Sequence, residues 1–211
     1  MMKNLYITIM LVSCSSVATG YAQKISDSDK ALVEKIQQAN TKYTGIASRF
    51  KQTKHISVLG EDVLSEGHFY YKKPDKLSMQ YDQPVGDLML LNGERFVMVN
   101  AGKRMVTSAK ANSKMRSMKN VLSNCLAGDV LQLNADVITC EDTKKYNVVI
   151  AKFAKSPKNI YTKVVLSFDK SDGSISILRT EEKDGSYTVY ELVGKEFNTA
   201  MDDTHFQTPN K

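Results

Sequence analysis

Phe69 and Tyr71, then Leu77, Met79 and Tyr81, fall at every second position of two runs broken by Lys73-Pro74, and Leu88, Leu90, Phe96 and Met98 follow shortly after. The chemistry these side chains offer is noncovalent: a soft wall able to solvate something apolar. Methionine suits such a wall, because three rotatable bonds and a polarisable sulfur let it repack around ligands of varied shape. Six methionines, Met79, Met89, Met98, Met105, Met115 and Met118, are gathered in the middle of the chain. Taken singly, each apolar residue is ordinary core. The combination of many strands with few helices points to a cavity.

No residues at catalytic spacing compete with that reading. His55, His68 and His205 stand far apart and belong to no metal-ligand or general-base pattern, so each is expected at a surface or an edge. The chain has no G-x-S-x-G elbow, no phosphate-binding glycine loop and no Cys-x-x-Cys pair. Asp172 and Asp184 each precede a glycine and read as turn formers. The expectation is a protein that is not an enzyme and uses neither metal nor cofactor.

The elements that must position this wall follow from periodicity. Leu32, Val33, Ile36 and Ala39 share one side of a helix over residues 29–40, capped by Asp27 or Ser28. The period then changes to two, with Ile46, Ser48, Phe50 and Gln52 on one face of a strand. Asn92-Gly93, Asn100-Ala101-Gly102, Asp172-Gly173 and Asp184-Gly185 are hairpin signals, because these residues tolerate the positive φ of tight turns. Strands are expected over 67–73, 76–82, 87–91, 95–100 and 103–108, then 135–140, 146–153, 162–169, 174–182 and 187–195. Between the two sets, residues 112–126 place Met115, Met118, Leu122 and Cys125 at helical spacing with Lys114, Arg116 and Lys119 largely opposite, and Gly128 ends the helix.

The start of the chain reads as an export signal. Lys3 precedes a short apolar core from Leu5 to Val12, and Gly20-Tyr21-Ala22 ends in small residues, placing a cleavable signal peptide over 1–22 and one domain over 23–211. Leu11-Val12-Ser13-Cys14 also fits a lipobox, which would make Cys14 a lipid-anchored N terminus. Past the leader, Cys125 and Cys140 are an even pair in an oxidising compartment. They are a candidate disulfide, closing a loop of about 15 residues worth roughly 3 kcal/mol, with two inert thiols as the other reading. The formal charge of +6 is spread along the chain, its densest stretch being Lys103, Arg104, Lys110, Lys114, Arg116 and Lys119. That is a solvated basic face or a contact for anionic lipid or an acidic partner, and nucleic acid is excluded by export.

Beyond these physical readings, the chain resembles the LolA-type carriers of bacterial outer-membrane lipoproteins. The resemblance rests on the order of the helix near Leu32, the strand with Phe50 and Gln52, Gly67-His68-Phe69-Tyr70-Tyr71-Lys72-Lys73-Pro74, Leu77-Ser78-Met79-Gln80-Tyr81, Pro84, Asn92-Gly93, Phe168-Asp169-Lys170 with Gly173, and Asp202-Asp203 followed by Phe206 and Pro209. It implies a mainly β fold: an incomplete, strongly curved antiparallel barrel of 10 or 11 strands, with an N-terminal helix and short lid helices over a concave apolar face. It implies a monomeric periplasmic carrier that takes lipoproteins, or a related acylated lipid, from an inner-membrane lipoprotein-releasing ABC transporter to an outer-membrane acceptor that the sequence does not name. A sensor of the same fold that does not transport is the other reading, and an esterase the third.

The implied acyl cavity is lined by Phe50, Phe69, Tyr71, Leu77, Met79, Tyr81, Leu88, Leu90, Phe96 and Met98, with Met115, Met118 and Leu122 as lid. In the family, a basic residue before the Pro, usually Arg, helps hold the lid shut. Lys73 stands there in this chain, carrying the charge without the planar fork of an arginine, and Met79 replaces the family's usual aromatic.

Overall fold

The computed structural model describes residues 23–156 and 159–208. The expected leader over residues 1–22, Cys14 included, lies outside them. Eleven strands form one antiparallel sheet in the order β6-β5-β4-β3-β2-β1-β11-β10-β9-β8-β7. Both edges stay unjoined, so the barrel is open. The chain runs α1 (Asp27–Asn40), β1 (Gly45–Ile56), β2 (Glu61–Lys72), β3 (Lys76–Gln83), β4 (Leu88–Asn92), β5 (Arg95–Asn100) and β6 (Lys103–Ser108). It continues through α2 (Ser113–Ala127), β7 (Val137–Asp142), β8 (Tyr146–Lys152), β9 (Tyr161–Asp169), β10 (Ile175–Glu182) and β11 (Tyr187–Phe197), with 3-10 turns at Val130–Leu133 and Asp203–Phe206.

The hairpin signals act as expected. Ala101 and Gly102 take φ of 47° and 74°, which lets Asn100 pair with Lys103 across a two-residue turn. The longest hairpin, β1–β2, carries no such signal and instead turns through residues 57–60. Helix α1 begins at a Ser26 cap whose side chain accepts from the Asp29 amide. Helix α2 is capped by Asn112 and closed by Gly128 at φ 74°. A Cβ at Gly128 would lie 2.9 Å from Asn40 Nδ2, so glycine is demanded there both by conformation and by the close approach of the two helix ends.

Register decides which residues share a face. Phe69 lies opposite Met79, Met79 opposite Met89, Met89 opposite Met98 and Met98 opposite Met105, a row crossing five strands. Tyr71, Leu77, Leu91 and Phe96 form the next row. On the other wing, Tyr190, Leu178, Leu166, Val149 and Cys140 stand in line across β11 to β7. Both wings join one buried cluster with Val121, Leu122, Cys125 and Leu126 of α2. The sheet therefore curls around that helix. No helix among the described residues is long and apolar enough to cross a membrane.

Candidate functional site

The concave face gathers most of the expected wall. Phe50, Phe69, Tyr71, Leu77, Met79 and Phe96 are buried in the main cluster, and Tyr81 and Met98 are partly buried against it. Tyr81 meets Phe50 edge-on with ring centroids 5.0 Å apart, and its hydroxyl donates to Gln52 Oε1 at 2.7 Å. Towards the β6 edge the wall runs out into solvent, where Met105 is 47% exposed.

Leu88 and Leu90 require a correction. They pack with Val97 and Val99 in a separate cluster, while Met89 and Leu91 occupy the concave face. The reason is the pleat: successive residues of a strand point to opposite faces. The Asn92–Arg95 turn sets Leu91 opposite Phe96 and Met89 opposite Met98, so those partners share the concave face. Over the convex face lies the C-terminal turn at Asp203–Phe206, where Phe206 is buried and Asn92 Nδ2 donates to its carbonyl at 3.3 Å.

Helix α2 fills the interior. Val121, Leu122, Cys125 and Leu126 are buried, and Met115 and Met118 pack partly buried against the cluster. Between helix and sheet lies a cavity of about 20 Å³, lined by Phe69, Met79, Leu122, Leu126, Ile175, Leu178, Tyr190 and Leu192. That volume holds roughly one water and no acyl chain. Beside the helix, an open cleft of about 530 Å³ runs between Arg116, Asn120 and Val121 on one side and Phe153, Asn159 and Tyr161 on the other. Ile175, Leu178 and Tyr190 were not legible as site residues, since they meet Phe69 and Met79 only because the sheet curls, while Leu192 stands opposite Phe50 in the β1–β11 pair.

The polar ties of the helices differ from the expected latch. Lys73 Nζ donates at 2.8 Å to the carbonyl of Asn40, the last residue of α1, and not to α2. Burial lowers the Lys73 pKa, and the Asp129 charge opposes that shift. Asp129, just past α2, accepts from Gln37 Nε2 of α1 at 2.8 Å. Lys73 therefore braces a junction of α1 with the end of α2. The tie between α2 and the sheet is made by Lys119, which reaches Glu94 Oε1 at 2.6 Å in the β4–β5 turn and Asp75 Oδ2 at 3.9 Å in the β2–β3 turn.

Cys125 and Cys140 are free thiols, so the candidate disulfide is absent. Cys125 faces the core from α2, while Cys140 Sγ lies 3.7 Å from the Asp29 carbonyl beneath α1. Burial, and then the Asp29 charge, push the Cys140 thiol up to about 12, and burial alone raises Cys125 well above the ordinary thiol range. The histidines sit on the outside of the sheet: His55 against Asp62, His68 between Arg49 and Tyr70, and His205 stacked on Tyr70. Among the described residues no group of acidic, histidine or cysteine side chains could hold a metal ion.

This arrangement defines a class: open antiparallel half-barrels with a helix seated in an apolar interior. The chain belongs to the LolA family, since the profile described as "Outer membrane lipoprotein carrier protein LolA" matches residues 41–209. No curated protein sequence matches it. Among solved structures it is similar to a DUF1329-family protein from Desulfovibrio piger, with a TM-score of 0.50 at 17% identity over 86% of this chain and 98% of the other. An uncharacterised conserved protein from Thermus thermophilus gives 0.51 at 7% identity, covering 85% and 94%. MucB gives 0.50 at 8% identity, with 87% of this chain matched to 64% of MucB. At such identities the likeness is one of fold.

Proposed function

We propose that the protein is a periplasmic carrier that encloses the acyl chains of a lipoprotein, or of a related acylated lipid, and shuttles them from the inner to the outer membrane. The observation that carries this reading is the state of the interior: a large apolar wall from both wings of an open sheet, covered by α2 together with Val33 and Ile36 of α1 and Val130 and Leu133 of the turn after α2, with little space left between them. A 16-carbon chain costs about 0.8 kcal/mol per CH₂ in water, on the order of 10 kcal/mol in all, so an aqueous gap demands such an enclosure. Cargo would replace Leu122 and Leu126 against Phe69, Met79 and Leu178.

Displacement of α2 is physically cheap for a buried helix. Its sequence, SKMRSMKNVLSNCLA, is rich in Ser and Asn and has no acidic residue in its first turn, so it is held by packing rather than by its own propensity. Its far end is fixed where Gly128 meets Asn40, so the end near Met115 and Met118 is the one to swing once the Lys119–Glu94 pair that holds it to the sheet lets go. Methionines along the wall then adapt to the chains that enter. An inner-membrane lipoprotein-releasing ABC transporter is the donor that this reading requires.

The test is release from membranes. Vesicles carrying a newly lipidated protein are incubated with residues 23–211, and the supernatant is examined by native mass spectrometry. A soluble one-to-one complex with the acylated protein supports the carrier. Complexes holding free lipid alone would make the protein a lipid carrier or sensor, and empty protein would overturn the reading.

A further inference from the structure

We propose that Ser48 and Tyr71 form a polar anchor within the apolar wall that takes the paired ester carbonyls of a diacyl group, so that the interior selects ester-linked diacyl cargo over ether-linked or plain hydrocarbon chains. This rests on the acyl-binding reading above and specifies its linkage chemistry.

Ser48 lies opposite Phe69, and Tyr71 opposite Ile46, in the β1–β2 pair. The two residues are thus diagonal neighbours on one face, roughly 7–8 Å apart, and that face is the concave one, since Ile46 and Phe69 belong to the main cluster. Ser48 is 9% exposed and Tyr71 2%. Among the described residues, neither hydroxyl has a hydrogen-bond partner. A buried donor left unmade destabilises a fold relative to Phe or Ala at the same place, so a wall built only to pack gains nothing from either hydroxyl. The neighbouring Tyr81 shows that the wall can satisfy such groups, because its hydroxyl finds Gln52 Oε1 at 2.7 Å. The other two unpartnered buried atoms, Gln23 Nε2 and Ser123 Oγ, lie off the sheet, in the segment before α1 and on α2.

The chemistry of the pair selects its ligand. Burial, and then the Asp75 charge, keep the Tyr71 hydroxyl protonated far above neutral pH. It is therefore a neutral donor, as is Ser48. An ester carbonyl is an acceptor with no proton and no charge, and a diacylated glyceryl group presents two of them on adjacent carbons. An ether oxygen at the same place is a poor acceptor, and a hydrocarbon has none.

The experiment compares a diester phosphatidylethanolamine with its diether analogue of equal chain length, binding to residues 23–211 by titration calorimetry. The expected result is about tenfold tighter binding of the diester. In Tyr71→Phe with Ser48→Ala the diester should lose its advantage and bind no more tightly than the diether. The same double variant, ligand-free, should melt about 2–4 °C higher, because unpaired hydroxyls have left the core. Equal binding of both lipids by the native protein, or a preference that survives in the variant, overturns the anchor. A lower melting temperature with the preference intact does so too, by making the hydroxyls structural. Should neither lipid bind, the acyl-binding reading itself fails, and the anchor with it.

Discussion

Lys119 on α2 and Glu94 in the β4–β5 turn meet at 2.6 Å, and this ion pair, with Asp75 at 3.9 Å from the same nitrogen, ties the helix to the rim of the sheet. The hydrogen bond from Lys119 holds the Glu94 carboxyl below the usual range against the opposing effect of desolvation, with the Lys119, Lys110 and Arg116 charges adding to the lowering. A carboxyl whose folded pKa is depressed stabilises the fold above its unfolded value of about 4.3, and that contribution is lost as pH falls through the lower folded value. Uptake of an apolar fluorescent dye should therefore rise as pH falls below the ordinary range of a Glu carboxyl. In Glu94→Gln uptake should be faster at neutral pH and the acid step should shrink. A dye profile identical to that of the native protein would mean that the pair does not restrain α2.

The thiols give a second, independent readout of the helix. With both held well above the usual range by burial, neither Cys125 nor Cys140 should react with a thiol reagent at pH 8 in the folded protein. Acylated cargo that moves α2 should make Cys125 reactive, followed by mass spectrometry of the labelled protein. The intact mass of oxidised, exported protein should correspond to two free thiols, and a loss of two hydrogens would contradict the packing described for α2 and β7.

Gly128 closes α2, at φ 74° and pressed against Asn40. Gly128→Ala should destabilise by about 1–2 kcal/mol from the left-handed backbone alone, with the contact to Asn40 adding to that. Urea denaturation measures it as a lower midpoint at unchanged slope. An unshifted midpoint would mean that the junction of α1 and α2 yields without cost.

Much of this fold was legible in the sequence, and the reasons are local. The β5–β6 hairpin spans Arg95–Asn100 and Lys103–Ser108 as read, because Asn100-Ala101-Gly102 fixes the turn and the turn fixes the register. Helix α2 was legible from Met115, Met118, Leu122 and Cys125 at helical spacing before Gly128. The β1–β2 hairpin was read too short, since Thr53, Lys54, Glu61 and Asp62 show no burial period where the strands project beyond the core.

The candidate site was legible only in part. Phe69, Tyr71, Leu77 and Met79 were found by alternation, and all lie in the core cluster. Leu88 and Leu90 were assigned to the wrong face because the run Leu88-Met89-Leu90-Leu91 is apolar throughout and carries no period of its own. The missing signal was available one turn away: with Phe96 and Met98 on the wall, the Asn92–Arg95 turn places Leu91 and Met89 beside them. Ile175, Leu178 and Tyr190 could not be found this way, since they face Phe69 and Met79 across the curl of the sheet and not along any strand pair.

The distinction between Met89 and Leu90 supplies the most direct test that the concave face holds the acyl chains. A photo-crosslinking amino acid is placed at Met89 in one variant and at Leu90 in another, and each is irradiated with a triacylated protein released from vesicles. The account predicts crosslinks to the acyl chains from position 89 and none from position 90. Crosslinks from position 90, or a stable complex with none from position 89, would contradict it and put the cargo elsewhere on the molecule.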